Sequence, residues 1–587
     1  MNPVVWRRFG WLLGVLLLGT AMWAPLDLLE PPPAADGSLP TPPVRGVTVL
    51  RAVLGVDGVL LILASVFGLS WIRGPRSPTL WTPPTRLGRP LRGGWLWLIP
   101  ITLLALLLRM VGLGSDLWLD EISTVLDCRT VPPLELITTF HAAGRHLLNS
   151  LSVTAMMAVF GSAEWAIRTP AMLLGVAGIP AIYYLARVGF ESREAMLTAV
   201  LLATSYHHVF FSQNARGYTG FLCWGMLGTA LFLRALEHRR PVIWALYVVT
   251  SFLGAATLLL SFFIVAGHGV TLVAIGWHKR HRWRALWPAA REALVAWGVL
   301  VWGVFHLYAV VSPQVAVYVG HTYRSKALGF APFSWRHLEV WLRGAAEGFG
   351  GGTLVVGVVV VAVGGLGALW FLRRQWVFGF ALVAPVLILG TYKLAAGLRF
   401  SPRFFLWALP VIYLILVGSA SLVAEALSRL GVGKARWATK IPGLLVTFLI
   451  VSSMPALMRS YRVPKQPTRQ SLEWIAERRQ PGELVAGAYL GKWGLRYYGP
   501  SLGWREGTDF FAVHQPDELA AVELAASEKD VWLLTTFPRA LAIEYPELSA
   551  DIRRRYYRVQ HFEATVGDAE VALWRRRDRR SEMKPQQ

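Results

Sequence analysis

"WLWLIPITLLALLLRMVGLGSDLWLDEISTVLD", residues 95–127, sets two chemistries end to end. Trp95–Leu113 is a mostly apolar run. A helix needs about 20 such residues to cross a bilayer. The next segment, Ser115–Asp127, carries Asp116, Asp120, Glu121 and Asp127. Runs like the first recur along most of the 587 residues, which are 54% hydrophobic and 16% charged. Soluble globular chains carry about a quarter charged residues. In lipid only a helix or a closed barrel satisfies its own backbone, and strand alternation is missing here. The sequence therefore predicts a polytopic α-helical membrane protein.

The formal net charge of +23 does not point to nucleic acid. Many Lys and Arg sit in short loops between apolar runs, as the positive-inside rule expects. Cys128 and Cys223 form neither a metal spacing nor a disulfide framework. Residues 1–93 read as an N-terminal extension. Its first run, Trp11–Leu26, follows Arg7 and Arg8 and is expected to be an uncleaved anchor rather than a signal peptide. A Pro-rich linker and a second run, Val53–Ile72, follow. Arg73, Arg76, Arg86, Arg89 and Arg92 then mark a cytoplasmic loop. The run beginning at Trp95 leaves the cytoplasm, so the acidic segment is expected on the extracytoplasmic face. Later basic loops agree with this parity if Leu147–Phe160 does not cross.

The expectation is about thirteen spans. Residues 94–458 form the transmembrane core, with outer loops at 114–166 and 312–352. Residues 459–575 are expected to be a small extracytoplasmic α/β domain. There "QSLEWIAERR" has helical spacing, and "ELVAGAY", "DVWLLTTF" and "AEVALWRRR" read as strands. Residues 576–587 are expected to be a disordered tail.

Leu119, Ile122 and Leu126 recur at helical spacing, so the acidic segment predicts an amphipathic helix on the membrane surface. Ser115 or Asp116 is its expected N-cap. Spacing alone favours a bland role in which the acids keep this helix wet. Basic residues at the outer ends of spans shift that balance. Arg216 lies in "FFSQNARGY", Lys393, Arg399 and Arg403 lie in "TYKLAAGLRFSPRFF", and Arg145 and His146 lie in "GRHLLNS". Cations at membrane depth usually face a cavity or a partner. Taken singly, each is more simply read as snorkelling to head groups. Together with carboxylates they would suit a lipid phosphate and a hydroxyl acceptor. Trp118 and Tyr218 are expected to anchor at the interface.

"LWLDEIST" after the first core span resembles the Asp-Glu motif of GT-C glycosyltransferases of the protein O-mannosyltransferase and aminoarabinose transferase type. "VFGSAEWAIRTPAMLLGVAGIPAIYYLAR", "FSQNARGY" and "RFFLWALP" resemble further motifs of that group, in the same order, from about Trp95 to about Leu422. The C-terminal domain is similar only in position and character. One segment departs from the pattern. In "GRHLLNS", His146, Asn149 and Ser150 fit, but Gly144 and Arg145 replace an acid or amide and Leu147 replaces Pro.

The resemblance implies a polyprenyl-phosphate-linked sugar as donor, a hydroxyl acceptor on protein, lipid or glycan, and inversion at the anomeric carbon. It implies residence in the cell (inner) membrane with the site outside. Asp120 matches the catalytic Asp, with Glu121 beside it as an orienting acid. Arg403 and Arg216 are the candidates for a phosphate clamp, backed by Lys393 and Arg399. His146, Asn149, Gln213 and Tyr218 are candidates to line the acceptor pocket, His146 being equally readable as a satisfied structural histidine. No cofactor is expected, and dependence on a divalent metal stays open. No Gly-rich phosphate loop of the nucleotide-binding kind is present. Two alternatives remain at this point. A transporter or flippase of a lipid-linked glycan should show internal repeats, and none is clear. A non-catalytic scaffold would tolerate loss of Asp120.

Overall fold

The computed structural model describes residues 3–30, 42–67, 79–139 except 84, 146–318, 364–365, 368–369, 373–396, 402–429, 437–526 and 529–577. Among the described residues, eight helices are long and apolar enough to cross a membrane, or up to nine with one bent pair. Of the thirteen expected runs, twelve are helical. Thr353–Leu372 lies almost wholly outside the described residues. Of the remaining three helical runs, Pro3–Trp23 has 21 residues, with Arg8–Trp23 as its apolar part, and Gly94–Met110 and Pro241–Thr257 have 17 each. At 1.5 Å per residue a 17-residue helix reaches about 25 Å, short of a hydrocarbon core of about 30 Å. The count of thirteen is therefore not established by helix length. Leu147–Phe160 is a helix of 14 residues.

Pro3–Trp23 and Gly46–Phe67 form a hairpin. A Cβ at Gly14 would stand 2.7 Å from the Gly58 carbonyl oxygen, so these helices touch backbone to backbone. Such close approach through small residues suits packing in lipid. Asp57 of the second helix accepts from Trp302 Nε1 and pairs with His306, both on helix Trp283–Tyr308. In the bundle, Tyr218–His238 is the most enclosed span and packs against Glu164–Ala186.

Ala195–Phe211, one of the thirteen runs expected to cross, is two helices, Ser192–Thr204 and Tyr206–Ser212, bent by 57°. Ser205 makes the break, its Oγ accepting from the His208 amide. A break frees carbonyls that lipid cannot satisfy. The buried Arg109 takes two of them, donating to Ala203 O at 3.0 Å and Leu202 O at 3.4 Å.

The C-terminal region carries a five-stranded sheet of order β2-β1-β3-β5-β4. The strands are β1 Leu484–Ala488, β2 Phe510–Val513, β3 Val531–Thr536, β4 Tyr556–Phe562 and β5 Val571–Arg576. β1 runs parallel to β2 and β3, and β5 runs antiparallel to β3 and β4. The three predicted strands are β1, β3 and β5, and "QSLEWIAERR" contains helix Thr468–Ala476. One sheet face, with Val485, Trp532, Leu534, Val571 and Leu573, shares an apolar cluster with Leu117, Ile122, Val125 and Ile167. The sheet thus sits directly on the acidic segment.

Most of the expected outer loop 312–352 and of the Pro-rich linker, Arg145, Arg399 and residues 578–587 of the expected tail lie outside the described residues, while Arg576, where that tail is expected to begin, ends β5.

Candidate active site at the acidic helix

The acidic segment forms helix Leu119–Thr130. Its N-cap is Trp118, not Ser115 or Asp116. Glu121 supplies the capping function by reaching back to the Trp118 amide at 3.3 Å. Asp116 instead accepts from the Gln470 amide at 3.0 Å and pairs with Arg469 at 3.3 Å. Trp118 and Tyr218 are buried rather than exposed as interface anchors. Trp118 Nε1 donates to Asn214 Oδ1 at 3.3 Å, and Tyr218 packs edge-on against His146. Both aromatics hold the site together from within the protein.

Adjacent acids on this helix turn opposite ways. The Glu121 side chain is 0% exposed and is gripped by Arg168 through Nε at 2.8 Å and Nη2 at 2.6 Å. Its Oε1 also accepts from the Ala215 amide at 2.8 Å. Burial alone would raise its pKa, but Arg168, Lys465 and these hydrogen bonds hold it below the usual carboxylate range. Arg168 spends its remaining donors on the carbonyls of Leu113, Ser115 and Asp116 and on Ser115 Oγ. The pair therefore fixes three chain segments. That arrangement suits an orienting role for Glu121 rather than contact with a substrate.

The Asp120 side chain stays 22% exposed. Its Oδ2 lies 2.6 Å from Arg403 Nη1. Arg216 Nη1 donates to Thr124 Oγ1 at 2.9 Å and to the Asp120 carbonyl at 3.4 Å. The Nε atoms of Arg216 and Arg403 are buried and have no hydrogen-bond partner among the described residues. Arg403 and Lys393 share the ring of Phe404, at 5.5 and 4.0 Å from its centroid. The Asp120 carboxylate thus pairs with one member of a group of three cations drawn from three parts of the chain, whose like charges favour an anion nearby.

His146 is buried, and its Nδ1 accepts from the Gly217 amide at 2.6 Å. The other ring nitrogen, Nε2, therefore carries the proton of the neutral ring. Burial, then Arg216 and Arg403, drive its pKa well below 6.5, so it stays neutral at physiological pH. Gly217 is required there. A Cβ would meet His146 Nδ1 at 2.9 Å and the Thr257 carbonyl at 2.9 Å. Asn149 Nδ2 donates to Ala215 O at 2.9 Å, while its Oδ1 and the Nδ2 of Asn214 are buried without a partner among the described residues. Gln213 is committed elsewhere, its amide donating to Arg109 O at 3.1 Å and to Val111 O. It ties two segments and has no spare donor for a pocket. Among the described residues no group of three His, Cys, Asp or Glu could hold a metal ion.

Sequence reasoning passed over Arg168, Asn214, Lys465, Gln466 and Tyr498. Arg168 had a signal. A cation at the mouth of a span usually faces a partner. Lys465, Gln466 and Tyr498 lie in the C-terminal region, more than 300 residues from Asp120, where no local pattern reports the contact.

Residues 147–304 match the model of the dolichyl-phosphate-mannose-protein mannosyltransferase family. Among curated proteins, none matches the chain by sequence. Among solved structures, ArnT from Cupriavidus metallidurans bound to undecaprenyl phosphate superposes with a TM-score of 0.51 at 14% identity. The match covers 84% of this chain and 100% of that one. The Archaeoglobus fulgidus oligosaccharyltransferase gives a TM-score of 0.45 at 13% identity, over 79% of this chain and 73% of that one. The arabinosyltransferase EmbB from Mycobacterium smegmatis gives 0.38 at 11% identity, over 88% and 45%. At 14% identity the ArnT likeness is one of fold, and it agrees with the fold class expected from the sequence.

Proposed function

We propose that this chain is a membrane glycosyltransferase that moves a sugar from a polyprenyl-phosphate donor to an acceptor hydroxyl at the extracytoplasmic face, inverting the anomeric carbon. One observation carries the proposal. The partly open carboxylate of Asp120 pairs with Arg403, while Arg216 donates to the Asp120 backbone carbonyl and Lys393 shares the Phe404 ring with Arg403. The match to a family named for a polyprenyl-linked mannose donor supports it, as does a fold shared with a protein solved with undecaprenyl phosphate.

In this reaction the acceptor oxygen attacks C1 of the sugar while the bond from C1 to the phosphate oxygen breaks. The acceptor proton passes to the Asp120 carboxylate, and the electron pair leaves with the polyprenyl phosphate. Phosphate is a good leaving group, so a general acid is not required. Charge grows on the phosphate oxygens, where preorganised cations stabilise it best. Arg403 can grip two of those oxygens at once, whereas Lys393 acts as a point charge. Arg403 holds Asp120 in this structure. A donor phosphate would compete for that guanidinium and release the base as it binds.

The same ion pair favours a second reading, in which Asp120 only holds Arg403 in place for the phosphate. Transfer of radiolabelled sugar from polyprenyl-phosphate donors, measured beside binding of the unglycosylated lipid phosphate, separates the two. With Asp120→Asn equally inserted, transfer should fall by about 10² or more, the usual scale of a general base. Lipid-phosphate binding should persist. Loss of binding together with transfer would favour the second reading. Unchanged transfer would remove Asp120 from the chemistry.

A further inference from the structure

The amide of Leu119, one residue before Asp120, opens its helix and so has no partner within it. It donates to Gln466 Oε1 at 2.8 Å. Gln466 is buried in the segment that joins the last bundle helix, Ile441–Arg462, to the C-terminal sheet. Its Nε2 donates to Thr536 Oγ1 at 3.0 Å, at the end of β3. The Thr536 hydroxyl in turn donates to Ala569 O at 3.4 Å. A backbone N–H can only donate, so the orientation of this side-chain amide is fixed from both ends. One primary amide thus bridges the sheet to the turn that presents Asp120.

The bridge stands on a fixed base. The Thr565 amide donates to Pro464 O at 2.9 Å and the Val566 amide to Lys465 O at 3.3 Å. Lys465 Nζ donates to Gln213 O and lies 4.6 Å over the Phe210 ring. Two more bonds reach the same turn from the same region. The Leu117 amide donates to Tyr498 Oη at 2.9 Å, and the Gln470 amide to Asp116 Oδ2 at 3.0 Å. The Asp116 carboxylate and the amides of Leu117 and Leu119 are therefore all held by residues beyond 462. Arg403, the partner of Asp120, comes from a different element, Pro402–Phe405. Their 2.6 Å contact depends on how the two elements are registered.

We infer that the C-terminal region sets the position of Asp120, and that Gln466 is the positioning residue through which it does so. The inference rests on the proposed transferase reading for its catalytic consequence, and on the hydrogen-bond chain alone for its structural part. Site groups must be held to within about 0.5 Å, and a misplacement of about 1 Å can cost 10²-fold in rate.

The test uses the full chain in detergent with three variants. Gln466→Met keeps the volume and removes both bonds. Gln466→Glu keeps an acceptor for the Leu119 amide. Thr536→Val removes the far end. Gln466→Met should lower kcat by about tenfold or more, within the range that misplacement produces. The KM for the donor and the unfolding temperature should stay close to wild type. Gln466→Glu should recover most of the rate, and Thr536→Val should lose part of it. Hydrogen exchange of the 115–127 peptide should speed up in Gln466→Met while bundle peptides stay protected. An unchanged kcat would overturn the inference, and so would a loss that tracks unfolding and is not rescued by Glu. If the wild type transfers no sugar from any donor, the transferase reading falls. Exchange at 115–127 then decides the positioning claim, which unchanged protection in Gln466→Met overturns.

Discussion

Glu121 and Asp120 are neighbours in sequence with opposite fates, because successive helical residues point about 100° apart. The outward one keeps access to solvent. The inward one needs full compensation, since an unpaired buried carboxylate costs several kcal/mol. Arg168 alone supplies a whole unit charge, which leaves Lys465 as the surplus cation facing Glu121 and Arg168. Burial pulls the Lys465 ammonium down to about 7, against the partial support of Glu121. The sign of the consequence follows by linkage. An unfolded lysine titrates near 10.4, so between about pH 7 and 10 the unfolded chain binds a proton that the folded chain does not, and stability rises with pH across that window. Below about pH 7 both states are protonated and this contribution is flat. The unfolding temperature of the wild type minus that of Lys465→Met should therefore climb from pH 7 to pH 9 in thermal denaturation. A difference that does not change with pH would remove Lys465 from this linkage.

At the scale of elements, the broken span shows what hydropathy hides. Ala195–Phe211 reads as one apolar run by its overall hydropathy, although Thr204, Ser205, His207 and His208 gather at the break. The second half of the device is Arg109, buried in another run and taking carbonyls that the 57° bend releases. It also donates to Ser212 Oγ at 3.1 Å and lies 2.6 Å from His208 Nδ1, so one guanidinium joins both halves. Gly175 makes room for this, since a Cβ there would stand 2.2 Å from Ser212 Oγ. Arg109→Leu should be strongly destabilising, because each buried group left unpaired costs about 1–3 kcal/mol. Arg109→Lys, which can still cap one carbonyl, should lose less. Unfolding temperatures in detergent rank the two, and equal values would refute the capping role. Periodicity reported other elements well. The Leu119, Ile122 and Leu126 spacing predicts the acidic helix, and the apolar runs of β1 and β3 reflect burial on both faces. β2 and β4 escaped because they are the sheet edges. β2 has four residues, and β4 is buried only at its two ends, with Arg558 and His561 exposed between them.

At the scale of the molecule, the two ends of the chain attach to the bundle differently. Asp120, Arg216 and Arg403 were legible from motifs within 95–422, the stretch where the resemblance runs. What positions Asp120 was not, because its supports come from beyond 462, where long-range contact leaves no local pattern. The N-terminal hairpin presents Leu12, Leu16, Leu60 and Val66 outward, as a lipid-facing element would. Its ties to the bundle include the Asp57 contacts and the close approach of Gly46 to the Val310 carbonyl. None of these reaches the acidic helix. The C-terminal region shares an apolar cluster with that helix and bonds the turn before Asp120 three times. Apolar burial contributes about 25 cal/mol per Å², so stripping away the sheet uncovers Ile122 and Val125 and removes the driving force that seats the helix. A chain starting at residue 79 should therefore keep transfer close to the full-length rate. A chain ending at residue 462 should lose transfer, and its 114–130 segment should become open to protease while the bundle stays inserted. The comparison is made on membranes holding equal amounts of each form. Transfer by the C-terminally shortened chain would show that the bundle alone orders Asp120. Loss of transfer in the N-terminally shortened chain would mean that the Asp57 contacts with Trp302 and His306 support the bundle well beyond the helix they touch.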